Sequence, residues 1–288
     1  MEKIRIAAVQ MNSGADKEAN LRAAEGLIDQ AAEWRPRIIA LPEYFNFLGP
    51  SEAHEVNAEP IPGSTIERLA ERARKHGVYL HCGSLLERSA RPGKFYNTSV
   101  VLNPQGDIVA HYRKIHLFDV EVAGHVSAQE SSTIEPGDEI VTLDLDSVRF
   151  GLSICYDLRF PELYRILALL GAKVLFVPAA FTMFTGKDHW EVLLRARAIE
   201  NQAFVVAPAQ VGKHPPNGVS YGRSMIVDPW GLLLAQAGDS PDVIVSDLSL
   251  EALARVRRDV PSLRNRRPSS YRWPQVDGSP AGSATHGE

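Results

Sequence analysis

An α/β fold with two facing sheets is predicted by three observations. Apolar runs of strand length alternate with amphipathic helical stretches, the strand-like runs number about a dozen against four or five long helices, and no linker-like break divides the chain before its last dozen or so residues. That many strands exceed what a simple doubly wound sheet of this length holds. Two sheets facing each other with helices outside, in layers α, β, β, α, accommodate both the continuous apolar strands and the amphipathic helices.

Ile4 to Gln10 alternates as a strand, Lys17 to Trp34 carries a helical stripe, and Arg37 to Leu41 is the next strand. A helix is expected from Ser64, a candidate N-cap, to His76, closed by Gly77, with a strand over Val78 to Leu86. Tyr96 to Leu102 and Ile108 to Ile115 form an expected hairpin about the turn sequence Asn103-Pro104-Gln105-Gly106. A polar stretch, Gly124 to Asp138, precedes a strand pair, Ile140 to Leu145 and Arg149 to Cys155, and a helix opened by Pro161 and running to Leu170. Lys173 to Val177 is a strand, His189 to Asn201 a helix and Phe204 to Ala209 a strand; Ser224 to Val227, Leu232 to Ala235 and Val243 to Asp247 finish the pattern. Residues 1–275 are expected as one domain, and 276–288, rich in Gly, Ser, Ala and polar residues, as a disordered tail.

The 288 residues are 44% hydrophobic and 23% charged, enough to bury a sizeable core, and the formal net charge of -4 argues against nucleic acid or an anionic membrane as partner. No stretch approaches the roughly 20 apolar residues of a membrane span, and the N-terminus lacks a signal-peptide pattern, so a cytoplasmic location is expected. With only two cysteines, Cys82 and Cys155, no disulfide framework can form. None of the nine histidines has zinc-type spacing with other ligands.

Cys155 ends the apolar run RFGLSIC before a Pro-initiated helix. A thiol at such a turn suits a nucleophile with backbone N–H groups beside it, and equally a small buried hydrophobe. Cys82 has apolar neighbours on both sides and fits the buried reading. Glu43 follows the strand RIIALP and Lys114 ends HYRKI; alone, each reads as a solvated surface charge. Together they form the base, cation and nucleophile that thiol-mediated amide cleavage requires, because a thiol with pKa near ~8.5 is only a few per cent ionised at neutral pH.

The stretches ALPEYFN, YRKIHLFD and CYDLRFPEL, continued by HWEVLLRARAIENQ and SYGRSMIVDPWG, resemble the nitrilase superfamily over nearly the whole chain. The resemblance implies a nitrilase-type α-β-β-α sandwich and a cysteine hydrolase without metal or organic cofactor. In it Glu43 is the general base, Cys155 the nucleophile forming a thioester, and Lys114, with the backbone N–H of Tyr156, the oxyanion holder. Glu130 in AQESST matches a second glutamate that the family places beside the lysine, though by itself it reads equally as a loop acid.

Within the superfamily the Nit branch is the nearest match, on the side of deaminated glutathione amidase, which implies cleavage of a γ-amide of a 2-oxo dicarboxylate. An omega-amidase acting on α-ketoglutaramate, another short-amide hydrolase, and a catalytically silent binding protein are the alternatives. Arg159 is the candidate for a substrate carboxylate, or else an ion-pair partner of Asp157 or Glu162, and Phe181, Thr182 and Thr185 are expected to form a pocket wall. The basic segment carrying Arg255, Arg257, Arg258, Arg264, Arg266 and Arg267 is expected at the subunit interface of a homodimer.

Overall fold

The computed structural model describes residues 3–216 and 218–272, so the expected tail at 276–288 lies outside the described residues. Lys3–Gln10 runs antiparallel to Asp242–Ser249 and parallel to Ile38–Ala40, which in turn runs parallel to Tyr79–His81. Phe95–Leu102 completes this first sheet, pairing with Tyr79–His81 and Leu85–Arg88 on one edge and Ile108–Arg113 on the other. The second sheet has the order Leu233–Gln236, Met225–Val227, Phe204–Ala207, Val174–Phe176, Val148–Leu152, Thr142–Leu145.

Side-chain alternation along the strands builds the layers. Ile6, Ala8, Ile38 and Ala40 face the second sheet and join the core that contains Phe150 and Phe176, while Ala7, Val9, Ile39 and Leu41 face the other way. There they meet Leu21, Ala24, Ile28 and Ile66, Leu69, Ala73 from the helices Lys17–Ala32 and Ser64–His76. Helices Pro161–Leu169 and Met183–Asn201 cover the outside of the second sheet with Leu163, Leu167, Trp190 and Leu194. The expected α-β-β-α order is the order observed.

Several local expectations are corrected. Ser64 is the first helical residue rather than the N-cap; the Glu59 carboxylate does the capping, accepting from Thr65 N–H at 2.8 Å and from the Ser64 hydroxyl at 3.2 Å. The single strand over Val78 to Leu86 is two, Tyr79–His81 and Leu85–Arg88. The break is at Gly83, with φ +56°, where a Cβ would stand 2.0 Å from the Pro42 carbonyl oxygen. The polar stretch contributes to a hairpin, Asp119–Val122 with Val126–Gln129. The helix expected from His189 begins at Met183, and the basic segment that starts at Arg255 opens inside a helix, Leu250–Asp259, capped by Ser249. Arg257 on it donates to the carbonyls of Gln202 and Ala172, so this arginine is committed within its own chain.

Candidate active site

Three strand ends converge on one point. Glu43 follows Ile38–Ala40 in a turn pinned to Ser84, whose hydroxyl accepts from Tyr44 N–H at 3.1 Å and whose carbonyl accepts from Phe45 N–H at 3.3 Å. Tyr44 takes φ +51° there. Lys114 stands one residue beyond Ile108–Arg113, its N–H bonded to Asn97 O at 2.9 Å and its carbonyl accepting from Gly137 N–H at 2.8 Å. The second sheet supplies Cys155, which does not end a strand as expected but opens the one-turn helix Cys155–Arg159 with φ +46°, its N–H bonded to Pro178 O at 2.9 Å. A non-glycine residue in the left-handed region is costly and is characteristic of a side chain aimed at a functional point.

The charges interlock. Lys114 Nζ lies 3.0 Å from Glu43 Oε1 and 3.1 and 2.9 Å from the two oxygens of Glu130. Glu43 Oε1 also accepts from Asn97 Nδ2 at 2.9 Å, and Oε2 from the Ala180 N–H at 2.7 Å. Glu130 accepts from the Tyr44 hydroxyl at 2.9 Å and the Phe118 N–H at 2.7 Å. Glu43 and Lys114 are each 2% exposed and Cys155 is 7% exposed. Buried charges of this kind persist only when paired and hydrogen-bonded, as these are.

The electrostatic consequence differs for each group. Burial opposes the charge on Lys114, but Glu130 and Glu43 outweigh it and hold the ammonium well above the ordinary lysine range. Burial likewise opposes the charge on Glu130, and the Lys114 ammonium overcomes it, so this carboxyl titrates below its ordinary value. Burial first, and then the negative charge of Glu43, push the Cys155 thiol well above its ordinary value, against a smaller opposing effect of Lys114. The resting arrangement is therefore a neutral thiol beside a carboxylate and an ammonium.

Asp157, fully buried, ties the two sheets together at this point. It accepts from Ile154 N–H at 2.8 Å and Tyr112 OH at 2.7 Å, and from His116 N–H at 3.0 Å, with His116 Nδ1 at 2.8 Å. Tyr112 and His116 flank Lys114 and Ile154 precedes Cys155, so one carboxylate links the segment that carries the cation to the segment that carries the thiol.

Cys155, Glu43, Lys114 and Glu130 line a cavity of about 1030 Å³, together with Tyr156, Phe181, Thr182 and Thr185. Arg159 is absent from its lining. The guanidinium lies 5.0 Å from the Phe181 ring and 5.8 Å from the Tyr156 ring, with Nη1 3.2 Å from His189 Nδ1. Among the described residues no salt bridge joins Arg159 to Asp157 or Glu162, and the Asp157 carboxylate is bonded to Tyr112 and His116. Among the described residues no group of three or more His, Cys, Asp or Glu is placed to hold a metal ion.

Residues 5–258 match the sequence model of the carbon-nitrogen hydrolase family. The chain belongs to that family.

Relatives of this hydrolase are similar over nearly their full length. The deaminated glutathione amidase of Synechocystis sp. is 44% identical over 269 residues, 92% of this chain and 99% of its own. Omega-amidase NIT2 of Homo sapiens is 40% identical over 271 residues, 94% of this chain and 98% of its own. The crystal structure of the C. elegans NitFhit protein superposes with a TM-score of 0.87 at 39% identity, covering 94% of this chain and 66% of that one. The nitrilase-type fold expected of the hydrolase is thus the fold it has.

Asn97, Tyr44 and the Ala180 N–H were not anticipated as parts of the hydrolase site. A signal existed for the first: Asn97, Thr98 and Ser99 are three consecutive polar residues inside a strand, all fully buried, where an apolar alternation would be ordinary.

Proposed function

We propose that this hydrolase cleaves the γ-amide of a 2-oxo dicarboxylate, with deaminated glutathione as its substrate, releasing 2-oxoglutarate and cysteinylglycine. The observation that carries the reading is the cavity over the thiol: about 1030 Å³ is at the upper end of ligand sites and suits a tripeptide-sized amide. A compact substrate such as α-ketoglutaramate would leave much of it to water. The 44% identity to a deaminated glutathione amidase supports the same choice. The 40% identity to an omega-amidase favours the second reading, the same chemistry on α-ketoglutaramate with ammonia as leaving group.

In the proposed mechanism Glu43 takes the thiol proton as Cys155 Sγ attacks the amide carbon, so that a thiolate never has to accumulate. The tetrahedral oxyanion is held by Lys114 Nζ and the Tyr156 N–H. Glu43 returns the proton to the departing amine as the C–N bond breaks, leaving a thioester on Cys155. Water enters the vacated side of the cavity, gives a proton to Glu43 and attacks the thioester carbon; the carboxylate product departs and the thiol is restored. Glu130 keeps Lys114 charged and oriented, and Phe181, Thr182 and Thr185 wall the substrate. Arg159 acts through Phe181 and Tyr156 rather than on a substrate carboxylate.

We further propose a cytoplasmic homodimer formed through the outer faces of Pro161–Leu169 and Met183–Asn201. Ile166, Leu169, Val192 and Ile199 are exposed there, and Arg266 of the basic C-terminal segment lies close enough to Arg165 to affect its titration. No helix among the described residues is long and apolar enough to cross a membrane. A monomer in light scattering at micromolar concentration would overturn the dimer.

The substrate reading is tested by kcat/KM for deaminated glutathione and α-ketoglutaramate, reading 2-oxoglutarate and ammonia separately. A clear preference for the former is expected; the reverse preference makes the protein an omega-amidase. No turnover of either or of a simple aliphatic amide favours a binding protein.

A further inference from the structure

Four residues lining the cavity carry full charges: Glu43, Glu130, Lys114 and Lys187. The first three form the closed cluster at the floor, where the Lys114 ammonium is already shared between two carboxylates. His54 also lines the cavity, but it stands edge-on to Phe47 and Phe95 with Nδ1 at Thr133 Oγ1, and burial lowers its pKa, so it stays neutral. Among the described lining residues, Lys187 is therefore the cation left for an anionic ligand.

Lys187 sits at the mouth within an aromatic cluster. Its Nζ is 6.0 Å from the centroid of Phe184, and Phe184 stacks on His125 at 4.0 Å with 13° between the planes. His125 lies in the turn of the hairpin Asp119–Gln129, so the cluster joins the hairpin to the helix, and all three residues line the cavity. Lys187 pairs at 2.6 Å with Asp188, its neighbour in sequence, but both side chains are more than half exposed, at 55% and 62%. Such a pair contributes little and yields readily to a competing carboxylate.

The order of chemical events fixes which end of a substrate faces this mouth. The acyl group stays bonded to Cys155 while the amine diffuses out and water comes in, so the amine side points to the opening. We infer that Lys187, with His125, binds the terminal carboxylate of a dipeptide leaving group and so selects peptide-like amides over compact ones. The inference rests on the amidase reading of the cavity and names the specificity device of that same site.

The test uses deaminated glutathione and its analogue with a terminal carboxamide in place of the glycine carboxylate, on wild type, Lys187→Ala and Lys187→Arg. Lys187 is exposed at the helix surface, so both variants should fold. Wild type is expected to prefer the free carboxylate by about fivefold to tenfold in kcat/KM, expressed in KM and weakened by salt. Lys187→Ala should lose that preference and Lys187→Arg retain it. An unchanged preference in Lys187→Ala, or an equal loss on both substrates, overturns the inference while leaving the amidase reading intact. A wild type that ignores deaminated glutathione yet cleaves α-ketoglutaramate overturns the substrate reading and the inference with it.

Discussion

Lys114 Nζ donates to both carboxylate oxygens of Glu130, at 3.1 and 2.9 Å, and to Glu43 Oε1 at 3.0 Å. Two anions fix one cation, which leaves Glu43 Oε2 with the Ala180 N–H as its partner. Removing the Glu130 charge should loosen the ammonium without touching substrate. Glu130→Gln is expected to lower kcat by about 10- to 100-fold, less than the loss of an oxyanion donor itself, with KM nearly unchanged. Steady-state kinetics decide it, and a purely KM-driven loss would assign Glu130 to substrate binding instead.

The thiol is predicted to rest protonated. Burial and then Glu43 raise the Cys155 pKa, and the Lys114 charge opposes them without prevailing. An ultraviolet difference titration of wild type against Cys155→Ala should show no thiolate absorbance at neutral pH. Cys82 adds none, because burial pushes its thiol up as well. Glu43→Gln should bring the Cys155 titration to lower pH while amide hydrolysis falls by about 10²- to 10⁴-fold, the range of a lost general base. A thiolate already present in the wild type at pH 7 would contradict this arrangement.

The same cluster sets a pH window for stability. Glu130 titrates below its ordinary value, so its contribution is present above about pH 4.3, its unfolded value, and is lost as pH falls through the folded one. Lys114 is raised, so its contribution is present below about pH 10.4 and lost as pH rises through the folded value. The cluster's share of the urea midpoint should be flat between these limits and fall outside them. In Glu130→Gln the acid fall should be shallower; an acid limb identical to wild type would remove Glu130 from the linkage.

The layer order could be read from the chain because strand periodicity is a local signal, whereas Glu43, Lys114 and Cys155 are each ambiguous alone and are singled out by the resemblance of their surrounding stretches to the nitrilase pattern. What stayed hidden is set by tertiary contact. The hairpin Asp119–Gln129 alternates only between partly buried and exposed residues, so it carries no apolar face to announce a strand. The first turn of Met183–Asn201 contains Thr185 and Gly186, weak helix formers, and Gly186 is there because a Cβ would meet Tyr221 at 2.4 Å. Asn97 joins the site only when the first sheet brings it against Glu43, and Arg159 is set against the Phe181 ring by packing between elements that no local pattern announces.

Asp157 is expected to act as the spacer between the two sheets. Tyr112→Phe removes the 2.7 Å bond to its carboxylate and leaves the bonds from His116 and Ile154. A loss of about 1.5–3 kcal/mol in urea unfolding should follow, with a fall in kcat larger than any change in KM, because the cation and the thiol lose their fixed separation. Unchanged stability would show that the buried bond carries no net energy.

A thioester on Cys155 is tested most directly by rapid-quench mass spectrometry during turnover of deaminated glutathione. A 2-oxoglutaryl adduct confined to the peptide containing Cys155, forming before steady state and absent from Cys155→Ala together with all turnover, is the predicted result. Continued hydrolysis by Cys155→Ala, or an adduct on any other residue, would contradict it.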